Sequence, residues 1–158
     1  MNLKYDVRFI NPLLNAVLDV LATMAMIKAK PGKPYINTER TAVGDVTGLI
    51  GVTGYSEGVI SLTLAEGCVL KIVSNMLGEE FNSINDEIAD AVGELTNMIA
   101  GQARTHLANE GMSFQAATPS VFIGKNHTLT HIGGSPLLSI PFTTPDGHLV
   151  VEISIAKK

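Results

Sequence analysis

The chain has 158 residues, 46% of them hydrophobic and 16% charged, which is enough material for one well-packed domain and excludes a disordered chain. A formal net charge of −4, with no cluster of Lys and Arg, excludes nucleic acid as the main ligand, because phosphate backbones are bound by concentrated positive charge. Apolar runs fall well short of the roughly 18 to 20 residues that span a bilayer, and the opening MNLKYDVRF lacks a signal-peptide core, so no membrane attachment is expected.

The first predicted helix opens with Asn11 as N-cap and Pro12 at its first position. Leu13, Leu14, Val17, Leu18, Leu21 and Met24 follow at helical spacing, and the helix is expected to end near Lys28, before Pro31. Two strands come next, at residues 43–52 and 58–64, joined as a hairpin through Thr53-Gly54-Tyr55-Ser56. The glycines of this region match neither phosphate-binding loop pattern and are read as shaping a bulged hairpin. A short helix runs from about Glu66 to Leu77, with Gly78 as its terminator. It contains the only cysteine, Cys68, whose apolar neighbours suit a buried thiol in a reduced, cytoplasmic protein.

The longest helix begins at Ser83, where Ser83-Ile84-Asn85-Asp86 has the form of a capping box, and reaches about Asn109, before Gly111. Three strands complete the chain. One covers residues 120–123, one covers about 128–142 with a break near Gly133-Gly134-Ser135-Pro136, and one covers residues 148–155 after the Asp146-Gly147 turn. The order α-β-β-α-α-β-β-β lacks regular βαβ alternation. It predicts an α+β domain over residues 1–158, with two long helices and one short one packed on a mostly antiparallel sheet. Two helix-then-strands blocks are visible, from Asn11 and from Ser83, with too little identity between them to establish a duplication.

In the longest helix, Ile88, Val92, Leu95 and Ile99 fall within roughly 60° of one another at about 100° per residue and form the stripe to be buried. Asp90, Glu94, Asn97, Gly101 and Arg104 lie opposite as a ridge, within about 80°. Glycine adjoins that ridge at Gly93 and occupies it at Gly101, although each internal helical glycine costs on the order of 1 kcal/mol relative to alanine. Close approach by a partner accounts for them, and so does tight packing against the chain's own elements. Glu94 and Asn97, three residues apart, present side by side a carboxylate that can pair with a cation and an amide that donates and accepts hydrogen bonds. Such an amide is no base near neutral pH, but it can orient water for attack on a phosphoryl group. A solvated helix face would carry the same residues.

Asp90-x-x-x-Glu94-x-x-Asn97, set in GELTNMIAG and followed by Pro119 at a strand start, resembles the signature of the CheC/CheX/FliY family of bacterial chemotaxis phosphatases. KPGKP, GLIGVTG…EGVISLTL, KIVSNMLGEE and TPSVFIGKN extend the resemblance over nearly the whole chain. Among the members the chain is most similar to CheX, with one copy of the motif. The first helix offers Asp19 but has Thr23 and Met26 where a second Glu and Asn would stand. The resemblance implies hydrolysis of the aspartyl phosphate on a CheY-like response regulator. Asn97 would position the attacking water and Glu94 would pair with the partner's lysine, with Asp90 and Gly101 supporting the contact. It also implies no cofactor of the chain's own, Mg²⁺ on the partner receiver domain, and a homodimer joined through edge strands. The run Leu149-Val150-Val151-Glu152-Ile153-Ser154-Ile155 fits such an edge, although a central strand would look the same. A module that binds a receiver domain, or another flagellar or signalling component, without hydrolysis is the alternative.

Other chemistry-bearing residues are read as structural. His127 and His131 lack helical geometry and a companion acid or Cys cluster, so no metal site is expected. His106 falls on the apolar side of its helix and is read as a core histidine, and His148 as a surface one. Ser135 sits in GGSP, which lacks the nucleophile-elbow pattern, and Met24, Met76 and Met98 are assigned to core filling.

Overall fold

The structure is a computed structural model that describes residues 7–39, 41–130 and 136–156. Three helices lie against one antiparallel sheet. Helix α1 is Ile10–Ala25, α2 is Glu66–Leu77 and α3 is Asp86–Asn109. The strands are β1 (Lys30–Pro31), β2 (Tyr35–Ile36), β3 (Thr41–Gly54), β4 (Gly58–Leu64), β5 (Phe114–Ala116), β6 (Ser120–Thr130), β7 (Leu137–Thr144) and β8 (Gly147–Ile155). They are ordered β1-β7-β8-β4-β3-β5, with β2 also on β7 and β6 also on β3, and every pairing is antiparallel.

Period-two patterning decides which face of the sheet receives the helices. Val46 and Ile50 of β3, Ile60, Leu62 and Leu64 of β4, Ile140 and Phe142 of β7, and Leu149 and Val151 of β8 join the helices in a single apolar core. The intervening residues form a buried polar layer. Thr47 and Thr63 share a hydrogen bond of 3.0 Å, and the Glu152 carboxylate accepts from the Ser139 hydroxyl and, at 3.0 Å, from Asn37 Nδ2. The 149–155 run is therefore a central strand between β4 and β7, not an edge.

The helix ends differ from the sequence expectation. A 3₁₀ turn, Val7–Phe9, leads into α1, and Asn11 sits inside the first helical turn rather than capping it. Phe9 is buried and meets Phe114 edge to face at 6.2 Å, which draws the helix start towards the core. Pro12 is still in the first turn, where its missing N–H sacrifices no helical bond. At the other end α1 stops at Ala25, three residues before the expected Lys28. Met26 adopts a left-handed conformation (φ 54°, ψ 35°), the Ile27 N–H returns to the Leu21 carbonyl, and Asn75 of α2 donates to the Ala25 carbonyl at 2.7 Å. Val7–Ala25 is long and apolar enough, by length and mean composition, to cross a membrane, but its apolar runs are short, as expected, and its apolar side is packed into the core.

Strand β6 is continuous where two separate strands were expected. A register shift between Gly44 and Val46 of β3 and a positive φ at Asn126 absorb the irregularity. Asp45 fastens this point, accepting the backbone N–H of Asn126 at 2.8 Å and of Glu66, the first residue of α2, at 2.7 Å. The expected break at Gly133-Gly134-Ser135 lies outside the described residues, as does His131.

Candidate active site

Helix α3 starts at Asp86, and the side chain of Asn85, not Ser83, caps it by accepting the Ile88 N–H at 3.0 Å. Asp86 and Glu87 in the first turn complement the helix dipole. The expected stripe is buried as drawn: Ile88, Val92 and Leu95 are completely covered and Ile99 nearly so, joined by Ala91, Thr96, Ala100 and Ala103. At the seat of α3, Gly48 of β3 lies directly under Thr96, whose hydroxyl donates to the Val92 carbonyl at 2.7 Å. Gly48 carries no side chain, so helix and strand approach closely and the helix cannot roll without losing this contact.

That seating turns the ridge outward. Asp90, Glu94 and Asn97 are all exposed, and among the described residues none of them makes an ion pair or a side-chain hydrogen bond. Glu94 and Asn97 stand one helical turn apart on a helix whose other face is buried in the core, with both heads free among the described residues. Gly93 and Gly101 are both partly covered. A Cβ at Gly93 would meet only Val121 Cγ2, at 3.6 Å, and one at Gly101 only Arg104 Nη2, at 3.8 Å. Both distances are ordinary van der Waals separations, so neither glycine is demanded by the chain's own packing. This weakens the internal-packing explanation for both glycines.

Helix α1 runs beside α3 and is tied to it by Gln102 Nε2, which donates to Asp19 Oδ2 at 2.8 Å. Thr23 turns its hydroxyl back to the Asp19 carbonyl at 2.7 Å. Met26, at the position where an Asn would be needed, lies beyond the helix end. Nothing local in the sequence signals the Gln102–Asp19 tie, because it depends on how the two helices register.

Burial pushes the Cys68 thiol up to about 11, so it stays protonated and inert. His127 donates through Nδ1 to the Gly124 carbonyl at 2.7 Å, with Nε2 2.7 Å from the Thr47 hydroxyl, and so braces β6. His106 is exposed, not buried. Near its C-terminus the covered side of α3 shifts to Ala103 and Leu107, and buried Met112 follows the Gly111 turn, its N–H returning to the Leu107 carbonyl. Met76 and Met98 pack against the core, but Met24 does not: it is 44% exposed, close to the early end of α1. Asp45, with the Asn126 N–H beside it as the leading cause, is held below the usual carboxylate range.

Comparison with known proteins identifies the family. The family model described as chemotaxis phosphatase CheX matches residues 46–143, a span that contains β4, α3 and β6. The chain belongs to the CheX family. A crystal structure of chemotaxis protein CheX from Desulfovibrio desulfuricans superimposes with a TM-score of 0.90 at 43% identity, covering 95% of this chain and 100% of that one. The CheX-CheY-BeF3-Mg²⁺ complex from Borrelia burgdorferi contains a chain similar at a TM-score of 0.81 and 28% identity, covering 94% of this chain and 98% of that one. The CheY-P phosphatase CheX of Thermotoga maritima is 29% identical over 139 residues, which is 87% of this chain and 88% of that protein. Membership of the CheX family and three helices on a curled antiparallel sheet are thus in agreement.

Proposed function

We propose that this chain is a single-domain cytoplasmic phosphatase that hydrolyses the aspartyl phosphate of a CheY-like receiver domain, with α3 as the reactive element. The observation that carries this reading is the pairing of Glu94 and Asn97, exposed, adjacent and unengaged on a helix whose opposite face is locked into the core. An acyl phosphate is already activated. Attack by water forms a new P–O bond, the phosphorus–carboxylate bond breaks, and the receiver's aspartate departs as a carboxylate. Mg²⁺ and a lysine that neutralise the developing charge belong to the receiver, so the phosphatase contributes position. In this reading the Asn97 amide holds the water in line, Glu94 pairs with the receiver lysine, and Asp90 and Gly101 shape the contact.

A phosphate-release assay with a phosphorylated receiver tests the assignment. Asn97→Ala should slow release on the order of 100-fold, the scale of loss when a reacting group is misplaced. Glu94→Ala should weaken receiver binding by about 1 to 3 kcal/mol. Wild-type rates for Asn97→Ala would leave the second reading, a receiver-binding module without hydrolysis.

A homodimer completes the proposal, and β6 is the edge best suited to form it. Among the described residues β6 pairs with β3 on one side only, and Phe122 and Ile123 are half exposed along it, whereas the opposite edge consists of the two-residue strands β1 and β2 near Pro31 and Pro34. Phe122→Lys with Ile123→Lys should convert the wild-type dimer to a monomer in light scattering. A wild-type monomer at micromolar concentration would remove the dimer.

A further inference from the structure

We infer that Arg104 is a specificity-determining contact on the same ridge, engaging an acidic side chain of the receiver and fixing which way round α3 lies across it; this rests on the receiver-phosphatase reading above. Arg104 follows Gly101 by three residues and shares the exposed side with Asn97. Its helical neighbours at three and four residues on either side are Ala100, Gly101, Leu107 and Ala108, so α3 itself offers it no carboxylate. Among the described residues no acid pairs with it, and its Nε–H is buried without a hydrogen-bond partner. By contrast, exposed Lys125 has Glu66 at 3.6 Å.

Two ordinary explanations for such an arginine do not apply well. The helix dipole favours cations in the last turn, and here the basic residue of that turn is His106, with Arg104 preceding it. Packing of the stem does not account for the head, which is folded towards the bare backbone of Gly101 with Nη2 3.8 Å from where a Cβ would be. A guanidinium held in this way has already lost part of its hydration, so pairing with a carboxylate desolvates it less than a freely solvated arginine.

Placement gives the contact its meaning. Glu94 and Arg104 are ten residues apart, roughly 15 Å along the axis at 1.5 Å per residue, with Asn97 between them. A carboxylate at one end and a guanidinium at the other make the ridge electrically polar. A receiver with its lysine beside the phosphoryl group and an acidic side chain further along is accepted in one direction. The reversed orientation sets like charges against each other.

The test measures binding of a CheY receiver activated with BeF3 and Mg²⁺, alongside phosphate release, for wild type, Arg104→Glu, Arg104→Lys and Asn97→Ala. Arg104→Glu should weaken binding about tenfold or more at low salt, raising KM more than it lowers kcat, with part of the affinity retained in Arg104→Lys. Reversing one exposed acidic residue of the receiver to Lys should restore binding to Arg104→Glu and to no other variant. Unchanged affinity for a folded Arg104→Glu protein, or failure of every receiver reversal to rescue it, overturns the contact. The chemical reading is scored separately by Asn97→Ala, so docking and catalysis can fail independently.

Discussion

Helices α1 and α3 lie side by side, are both long and amphipathic, and each heads a helix-then-strands block, yet only α3 presents a candidate reactive ridge. Helix α3 is 24 residues long with a side-chain cap at its start, and α1 is 16 residues long without one. On α3 the acid and the amide are both free. On α1 Asp19, at the position of Asp90, is bound to Gln102, Thr23 stands where Glu94 would, and the third position falls past the end of the helix. A pair three residues apart needs an uninterrupted turn beneath it, so where a helix stops matters as much as which side chains it carries.

If the ridge owes its aim to the seat beneath it, disturbing the seat should have the largest effect. A Cβ at Gly48 would overlap the Thr96 hydroxyl, and its alternatives are poor because Thr96 is fully buried and its methyl would also be crowded. Gly48→Ala should therefore destabilise the fold by about 1 to 3 kcal/mol, the usual range for overpacking, and should lower phosphate release through displacement of α3. Denaturant unfolding measures the first and the release assay the second. A Gly48→Ala protein as stable as wild type would mean that α3 is not held by this contact.

The ridge glycine offers the opposite sign. With only Arg104 Nη2 near its added methyl, at 3.8 Å, Gly101→Ala is sterically tolerated within the chain and should raise stability by up to about 1 kcal/mol through helix propensity. The same methyl stands where the receiver is proposed to approach, so the KM for a phosphorylated receiver should increase. A rise in melting temperature with unaltered KM would take Gly101 out of the contact while leaving Glu94 and Asn97 in place.

Much of this was legible in the residues themselves. The 3.6-residue stripe of α3, the Gly58–Leu64 strand and the Gly78 terminator of α2 each follow from local chemistry, and the structure places them as read. The ends of α1 were misplaced because tertiary contacts set them: Phe9 against Phe114 at one end, and Asn75 on the Ala25 carbonyl at the other. The 149–155 run could not be assigned to an edge or the centre, since strand order is not a local property. Within the site, Glu94 and Asn97 could be found by their spacing. That the Arg104 Nε–H is buried without a partner among the described residues could not, because that depends on what other elements fail to bring near it.

The smallest effect expected is none at all, and it separates side-chain identity from helix length. Thr23→Glu with Met26→Asn writes the missing pair onto α1. Asn tolerates the left-handed conformation that residue 26 adopts, so the double variant should fold with stability within about 0.5 kcal/mol of wild type. Introduced into an Asn97→Ala background, it should restore no phosphate release, because the new Asn projects from the turn after Ala25 instead of one helical turn beyond the new Glu. Recovered activity would show that α1 can extend by a turn on meeting a receiver. The two helices would then differ only in their side chains, and the capping interactions at Ala25 and Ile27 would be weaker than the contact with the partner.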